Sequence, residues 1–278
     1  MSAPQPLQCA PRETLAGVSV VLTDVDDTLT RHGRLASTTL AALERLDAAG
    51  ITVIPVTGGC AGWCDHLVRA WPVAAVIGES GAFRFRRTLS GGLDIHSVRP
   101  LTALHEEQHQ LLAIAEQAMR AVPGSRLAAD QRYRLADVAV DHGQDVAPLD
   151  DDAIARLIAA FHDAGASARA SSIHVNAWFG DHDKATMADW VLEHDLGLRP
   201  EERRDRVLFI GDAPNDASLF QRHPLSVGVA NLVTRLDQLP RPPRWLCNAS
   251  HGDGFVEMAE ALLAAKAWTS ANTRERDG

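Results

Sequence analysis

The chain has 278 residues, 46% of them hydrophobic, and a formal net charge of −9. That length suits one large domain or a core domain carrying a smaller second one. The acidic balance argues against a general binder of nucleic acid or of anionic membranes, because both require a basic field.

In chain order, GVSVVLT reads as a strand. STTLAALERLDAAG follows as a helix, with a Ser/Thr cap at its start and Gly50 at its end. ITVIPV is a second strand, AGWCDHLVRAW a helix and VAAVIG a third strand. These apolar runs are continuous rather than alternating, which predicts strands covered on both faces and hence a parallel sheet. From about residue 83 the pattern changes. AFRFRR, YRLADVAVD and SSIHVNAWF alternate apolar with polar, as strands with one packed face do. The helical stretches LTALHEEQHQLLAIAEQAMRA and DDDAIARLIAAFHDAG lie between them. After DHDKATMADWVLEHDLG, another helix, the first pattern returns. DRVLFIG is a strand, NDASLFQRH a helix, LSVGVA a strand and DGFVEMAEALLAAKAW a closing helix. The polar tail TSANTRERDG is expected to fray. The predicted class is α/β: a Rossmann-like, doubly wound parallel sheet core of residues 1–82 and 181–278, with an inserted α+β domain at 83–180.

The opening MSAPQPLQCAPRE has neither a basic nor an apolar targeting region, and no apolar run approaches a membrane span. A cytoplasmic protein is expected. Cys9, Cys60, Cys64 and Cys247 are then expected as free thiols. Cys60 and Cys64 stand four apart on a predicted helix but lack a second ligand pair for zinc. Of 27 basic residues only Lys184 and Lys266 are lysine, so a retained lysine points to a need for a compact ammonium.

The polar residues that follow the buried strands carry the chemistry. After the first strand come Asp24, Asp26 and Asp27, three acids within four positions. Like charges so crowded repel unless a cation or donors stabilise them. The cluster is either a solvated turn or the start of a metal site. A calcium loop is excluded, since Leu29 and Leu35 occupy the positions that need Gly and Glu. After the second strand come Thr57, Gly58 and Gly59, and after DRVLFIG come Asp212, Asn215 and Asp216. Ligand crevices of open parallel sheets lie beyond the carboxyl ends of the strands, so these residues are expected at one rim. Asp24 and Asp212 offer hard oxygens suited to Mg²⁺. Thr57 and the Gly58 and Gly59 amides can donate to phosphate oxygens, and Lys184 can neutralise them. Asp24 is the candidate nucleophile and Asp26 the candidate general acid and base.

DVDDTLT, VTGG, DKATMADWVL and GDAPNDASLF resemble the four motifs of the haloacid dehalogenase superfamily of phosphatases, in the expected order. An insert between the second and third motifs is similar to the type IIB cap of that superfamily. The resemblance implies an aspartyl-phosphate intermediate on Asp24, with Asp26 protonating the leaving oxygen and then activating water. It implies Mg²⁺ held by the Asp24 carboxylate, the Asp26 carbonyl and Asp212, with Asn215 and Asp216 in support. The implied substrate is a small-molecule phosphate ester, a sugar phosphate above all. A phosphomutase or a non-catalytic binding protein of the same fold is the alternative. Asp27 departs from the commoner Gly, Gly59 from the commoner Arg, and GESGA from GENGA.

Two other motifs compete. HEEQH, residues 105–109, matches the zinc-peptidase pattern, but it lies inside the insert, and Leu104, Leu111 and Ala115 form the apolar stripe of its helix. GESGA has the wrong spacing for a serine-hydrolase elbow, leaving Ser80 as a turn residue. On SSIHVNAWF, Ser172, His174, Asn176 and Trp178 share one face and Ile173, Val175, Ala177 and Phe179 the other. The apolar face is expected to pack on helices. The polar face either binds a sugar, through His174 and Asn176, or faces solvent. Asp137 and Asp141 are weaker candidates by the same alternation.

Overall fold

Continuous apolar runs become a six-stranded parallel sheet. In the computed structural model, which describes residues 3–276, with side chains to residue 269, the strand order is Gln5–Pro6, Trp245–Leu246, Leu225–Gly228, Val207–Gly211, Val20–Thr23 and Thr52–Pro55. Every neighbouring pair is parallel. From Val20–Thr23 the chain moves first to one side, to Thr52–Pro55, and later returns on the other side as Val207–Gly211. That reversal of order is the switch point of a doubly wound sheet. Val20, Val21, Leu22, Leu208, Phe209 and Ile210 are all buried, as strands covered on both faces require. Flanking helices include Arg12–Gly17 and Ser37–Ala48, each of which packs on His251–Arg276. Among the described residues, no helix is long and apolar enough to cross a membrane.

The chain divides into two compact units. One holds the parallel sheet and comprises the chain up to Val56, residues 70–75 and everything from Ala188 onward. The other comprises Thr57–Arg69 and Val76–Met187. Its four-stranded antiparallel sheet runs Ser167–Ala170, His174–Trp178, Val138–Asp141, Arg126–Leu127. The helices Leu101–Ala121 and Asp151–Asp163 cover one face, where Leu111, Ala115, Leu157 and Phe161 meet Val138, Val140, Val175 and Ala177. The alternation of this strand therefore directs its apolar side as expected.

Some sequence expectations need correction. VAAVIG is not a member of the parallel sheet: Val76–Gly78 pairs antiparallel with Phe83–Arg87. Only the short turn Glu79–Gly81 separates the two strands, and a connection that short permits only antiparallel pairing. YRLADVAVD is strand only over Val138–Asp141, because Gln131–Tyr133 forms a 3₁₀ turn and a buried carboxylate takes the amides of 135–137. SSIHVNAWF starts at His174, since Ser171 Oγ accepts the amides of Ile173 and His174. Ser37 is the first helical residue rather than a side-chain cap. The closing helix continues to Arg276, past Trp268, so the expected frayed tail is helical there; Asp277 and Gly278 lie outside the described residues.

The parallel-sheet unit buries His223, whose Nε2 has no hydrogen-bond partner. Burial, reinforced by the charges of Arg222 and Arg203, lowers its pKa from the usual 6.5 to about 3. The unfolded chain therefore binds a proton below pH 6.5 that the folded chain refuses, so stability present above that pH is lost as pH falls toward 3. The slope is about 1.4 kcal/mol per pH unit at most. Thermal melts between pH 7 and pH 4 should show a falling Tm for the native protein and a shallower fall for His223→Gln.

Candidate active site

Parallel register brings the acids together. Thr23 pairs with Ile210, and the Asp24 amide donates to the Ile210 carbonyl at 3.0 Å. Asp24 and Asp212 consequently leave adjacent strands at the same edge. Asp216 joins them from the 3₁₀ turn Pro214–Asp216, its Oδ2 accepting the Asp212 amide at 3.2 Å. Oxygens of Asp24, Asp212 and Asp216 all lie within 4.8 Å of one another, and the three residues are buried. Among the described residues this is the one group of His, Cys, Asp or Glu able to hold a metal ion. Three carboxylates so placed repel strongly in a low dielectric, and an all-oxygen set of this charge suits a hard divalent cation such as Mg²⁺. Gly211 makes the approach possible, since a Cβ there would overlap the Asp216 carboxylate.

Further groups hold these acids in place. Thr28 Oγ1 donates to Asp212 Oδ1 at 3.3 Å. Asn231 Nδ2 donates to Asp212 Oδ2 at 3.0 Å and to the Asp27 carbonyl at 3.1 Å, while its Oδ1 accepts the His251 amide at 2.9 Å. Asp27, His32 and His251 all have positive φ, so this corner stores backbone strain in three non-glycine residues. Asp26 is half-buried beside them, and Asn215 has a buried Oδ1 without a partner. Asn231 escaped the sequence reading, although it follows the buried strand Leu225–Gly228 and the strand-end rule points to it.

Thr57, Gly58, Gly59 and Lys184 belong to the other compact unit. Thr57 Oγ1 accepts the Gly59 amide at 2.8 Å, and a hydroxyl that accepts still has its own hydrogen to donate. The left-handed run Glu79, Ser80 and Gly81 carries this loop: the Glu79 and Ser80 amides donate to the Gly59 and Thr57 carbonyls, each at 3.2 Å. Gly81, at φ 103°, packs directly against the Asp183–Lys184 peptide, where a Cβ would overlap the Asp183 carbonyl. Ser80 is thus a turn residue, and the turn sets both the Thr57 loop and the start of the helix Lys184–His194. Lys184 is buried.

The polar strand face of this unit does not look onto solvent: His174, Asn176 and Trp178 are all buried. Asn176 Nδ2 donates to the Gly58 carbonyl at 3.2 Å and to Asp137 Oδ2 at 2.9 Å. Arg134 donates to Gly58, Asp137 and Asp130. Burial works against the Arg134 charge, and Asp137, Asp130 and Glu79 together outweigh it. Burial also pushes the Glu79 carboxyl up to about 8, with Asp137 adding to the rise against the pull of Arg134 and backbone amides. His174 is held down at about 4, chiefly by burial and then by Arg134, and its Nε2 has no partner. Asp141 binds the amides of Gly143, Gln144 and Asp145 and so caps a turn. Glu79 and Arg134 were not legible as site residues: Glu79 follows a strand end, but nothing marks Arg134.

His105 and His109 lie exposed on their helix with rings 4.7 Å apart, and no third ligand joins them among the described residues. Cys60 precedes rather than occupies the helix Ala61–Ala70, and burial raises its thiol to about 11.

No protein-family model matches the chain, and no curated relative does. Solved structures do. Sucrose-phosphatase from Synechocystis sp. PCC6803, solved with sucrose and phosphate, is 16% identical, with a TM-score of 0.62 over 88% of this chain and 98% of that one. A phosphatase of the haloalkanoate superfamily from Bacteroides thetaiotaomicron is 16% identical, with a TM-score of 0.57 over 92% and 98%. A sugar phosphatase of subclass IIB of that superfamily is 14% identical, with a TM-score of 0.59 over 87% and 98%. With its switch-point sheet and its second α/β unit, this chain has the fold of the haloacid dehalogenase superfamily.

Proposed function

We propose that the chain is a Mg²⁺-dependent phosphatase that hydrolyses a small phosphorylated metabolite, a sugar phosphate in the first place, through an aspartyl-phosphate. The observation that carries this reading is the buried triad of Asp24, Asp212 and Asp216 at the switch point of the sheet. Mg²⁺ held by the Asp24 and Asp212 carboxylates and the Asp26 carbonyl, with Asp216 in support, supplies charge that offsets both the carboxylates and the phosphoryl oxygens. The named activities of the structural neighbours support the sugar class. Residues 83–180 act as the specificity-setting cap on a core of 1–82 and 181–278. The free state of all four cysteines supports a cytoplasmic setting.

In this mechanism an Asp24 carboxylate oxygen attacks phosphorus while the bond to the leaving oxygen breaks, and the Asp26 carboxyl gives its proton to that oxygen. Asp26, now a carboxylate, takes a proton from water. The resulting hydroxide displaces phosphate and restores the Asp24 carboxylate. Thr57, the Gly58 amide and Lys184 bind the phosphoryl oxygens, while the Gly59 amide, given to Thr57 Oγ1, serves that end through the hydroxyl it holds. Asn215 supports that end of the site, and His174 contacts the substrate. Asn176, whose amide protons are engaged by Gly58 and Asp137, acts through the loop.

The purified protein should hydrolyse an aryl phosphate and several sugar phosphates with Mg²⁺ and lose that activity in EDTA. Asp24→Asn should reduce turnover to background while circular dichroism stays native, and Asp26→Asn should slow it by about 10²–10⁴-fold. Turnover by Asp24→Asn at the native rate would remove the nucleophile from the scheme. Gly211→Ala should displace the Asp216 carboxylate and weaken Mg²⁺ binding by roughly tenfold or more, as read by titration calorimetry.

A further inference from the structure

Several buried side chains of one compact unit converge on the backbone just beyond Thr57, and the phosphatase scheme gives Arg134, the largest of them, no role. The Gly58 carbonyl accepts from Arg134 Nη1 at 2.9 Å and from Asn176 Nδ2 at 3.2 Å. Both donors are anchored on Asp137: Arg134 Nη1 reaches its Oδ1 at 2.9 Å, and Asn176 Nδ2 its Oδ2 at 2.9 Å. The far edge of the guanidinium forks onto Asp130, with Nε to Oδ1 at 3.1 Å and Nη2 to Oδ2 at 3.0 Å. The Arg134 and Asp137 side chains are wholly enclosed. Glu79 Oε1 holds the next fixed point, accepting the Ala61 amide at 2.9 Å.

The two ends of one peptide plane explain what this achieves. The Gly58 carbonyl and the Gly59 amide belong to the same trans peptide, so the oxygen and the hydrogen point in opposite directions. The oxygen is gripped by Arg134 and Asn176, and the hydrogen then falls on Thr57 Oγ1 at 2.8 Å. Flanked by two glycines, this peptide has little intrinsic preference for one orientation. A structural ion pair has no need of the Gly58 carbonyl, since Asp130 and Asp137 already satisfy the guanidinium charge.

We infer that Arg134, with Asn176 as the second donor, is a positioning residue for the Thr57 hydroxyl, acting through the Gly58–Gly59 peptide plane. The inference rests on the phosphatase reading of Thr57. Arginine is required because its planar fork reaches two carboxylates and the carbonyl together, which a lysine ammonium does not.

The test is a double-mutant cycle on the Mg²⁺-loaded full chain, measuring kcat/KM for an aryl phosphate and the inhibition constant of inorganic phosphate. Arg134→Lys and Asn176→Ala should each weaken phosphate inhibition and lower kcat/KM by about tenfold. In a Thr57→Ala background the same changes should have almost no further effect, because the hydroxyl they orient is gone. Asn176→Ala, a smaller perturbation whose melting curve certifies its fold, carries the test if Arg134→Lys does not fold. Losses that add in full to that of Thr57→Ala overturn the inference and leave the phosphatase reading standing. A native chain without Mg²⁺-dependent turnover overturns both.

Discussion

Mutual repulsion among Asp24, Asp212 and Asp216 is the constraint around which the parallel-sheet unit is organised. Their oxygens lie within 4.8 Å of one another in buried surroundings, where a like-charge pair costs far more than in water. Such a cluster survives folding because the surrounding backbone leaves it no freedom to separate. The register of Val20–Thr23 against Val207–Gly211 fixes Asp24 and Asp212. The Asp212 amide and the bare Cα of Gly211 fix Asp216. Asn231 and Thr28 donate to Asp212 from two further directions, so each carboxylate has an orientation before any ligand arrives. Preorganised charge of this kind costs stability when the site is empty and returns it when a cation binds only the folded state.

The second unit handles buried charge differently. Arg134 sits between the carboxylates of Asp130 and Asp137, and Glu79 spends its oxygens on the backbone amides of Ala61 and residues 135–137, so each of these groups has a partner within the unit. Removing one member of such a group leaves an uncompensated charge and is strongly destabilising, whereas replacing the whole group by apolar residues often is not. Retention of a polar network where an apolar core would serve therefore asks for a reason, and its reach to Gly58 and Ala61 supplies one. The three left-handed residues Glu79, Ser80 and Gly81 serve the same end, since the turn they form touches both the Thr57 loop and the peptide before Lys184.

Local patterns made much of this legible. Asp24, Thr57 and Asp212 stand directly after continuous apolar runs, and the rule that ligands gather at the carboxyl ends of parallel strands brought them forward. Val175 and Ala177 showed their buried face by simple alternation. What escaped depends on partners distant in sequence. Arg134 acquires meaning only from Gly58, 76 positions earlier, and Asn176 points inward because Asp137 and Gly58 wait there. VAAVIG looked like any buried parallel strand, since burial on both faces and parallel pairing leave the same apolar signature. The two-residue strands at one end of the sheet, Gln5–Pro6 and Trp245–Leu246, are too short to carry a period at all.

The scarcity of lysine has a practical corollary. Apart from the α-amino group, the chain offers only two primary amines, Lys184 and Lys266. Lys184 is 2% exposed, while Lys266 on the closing helix is partly accessible. Of the two lysines, acylating reagents, aldehyde fixatives and amine-coupled surfaces will therefore engage Lys266 on the closing helix far more readily. Amine coupling thus leaves the buried carboxylates of Asp24, Asp212 and Asp216 chemically untouched, and a reagent that does modify Lys184 reports on how often the start of its helix is exposed.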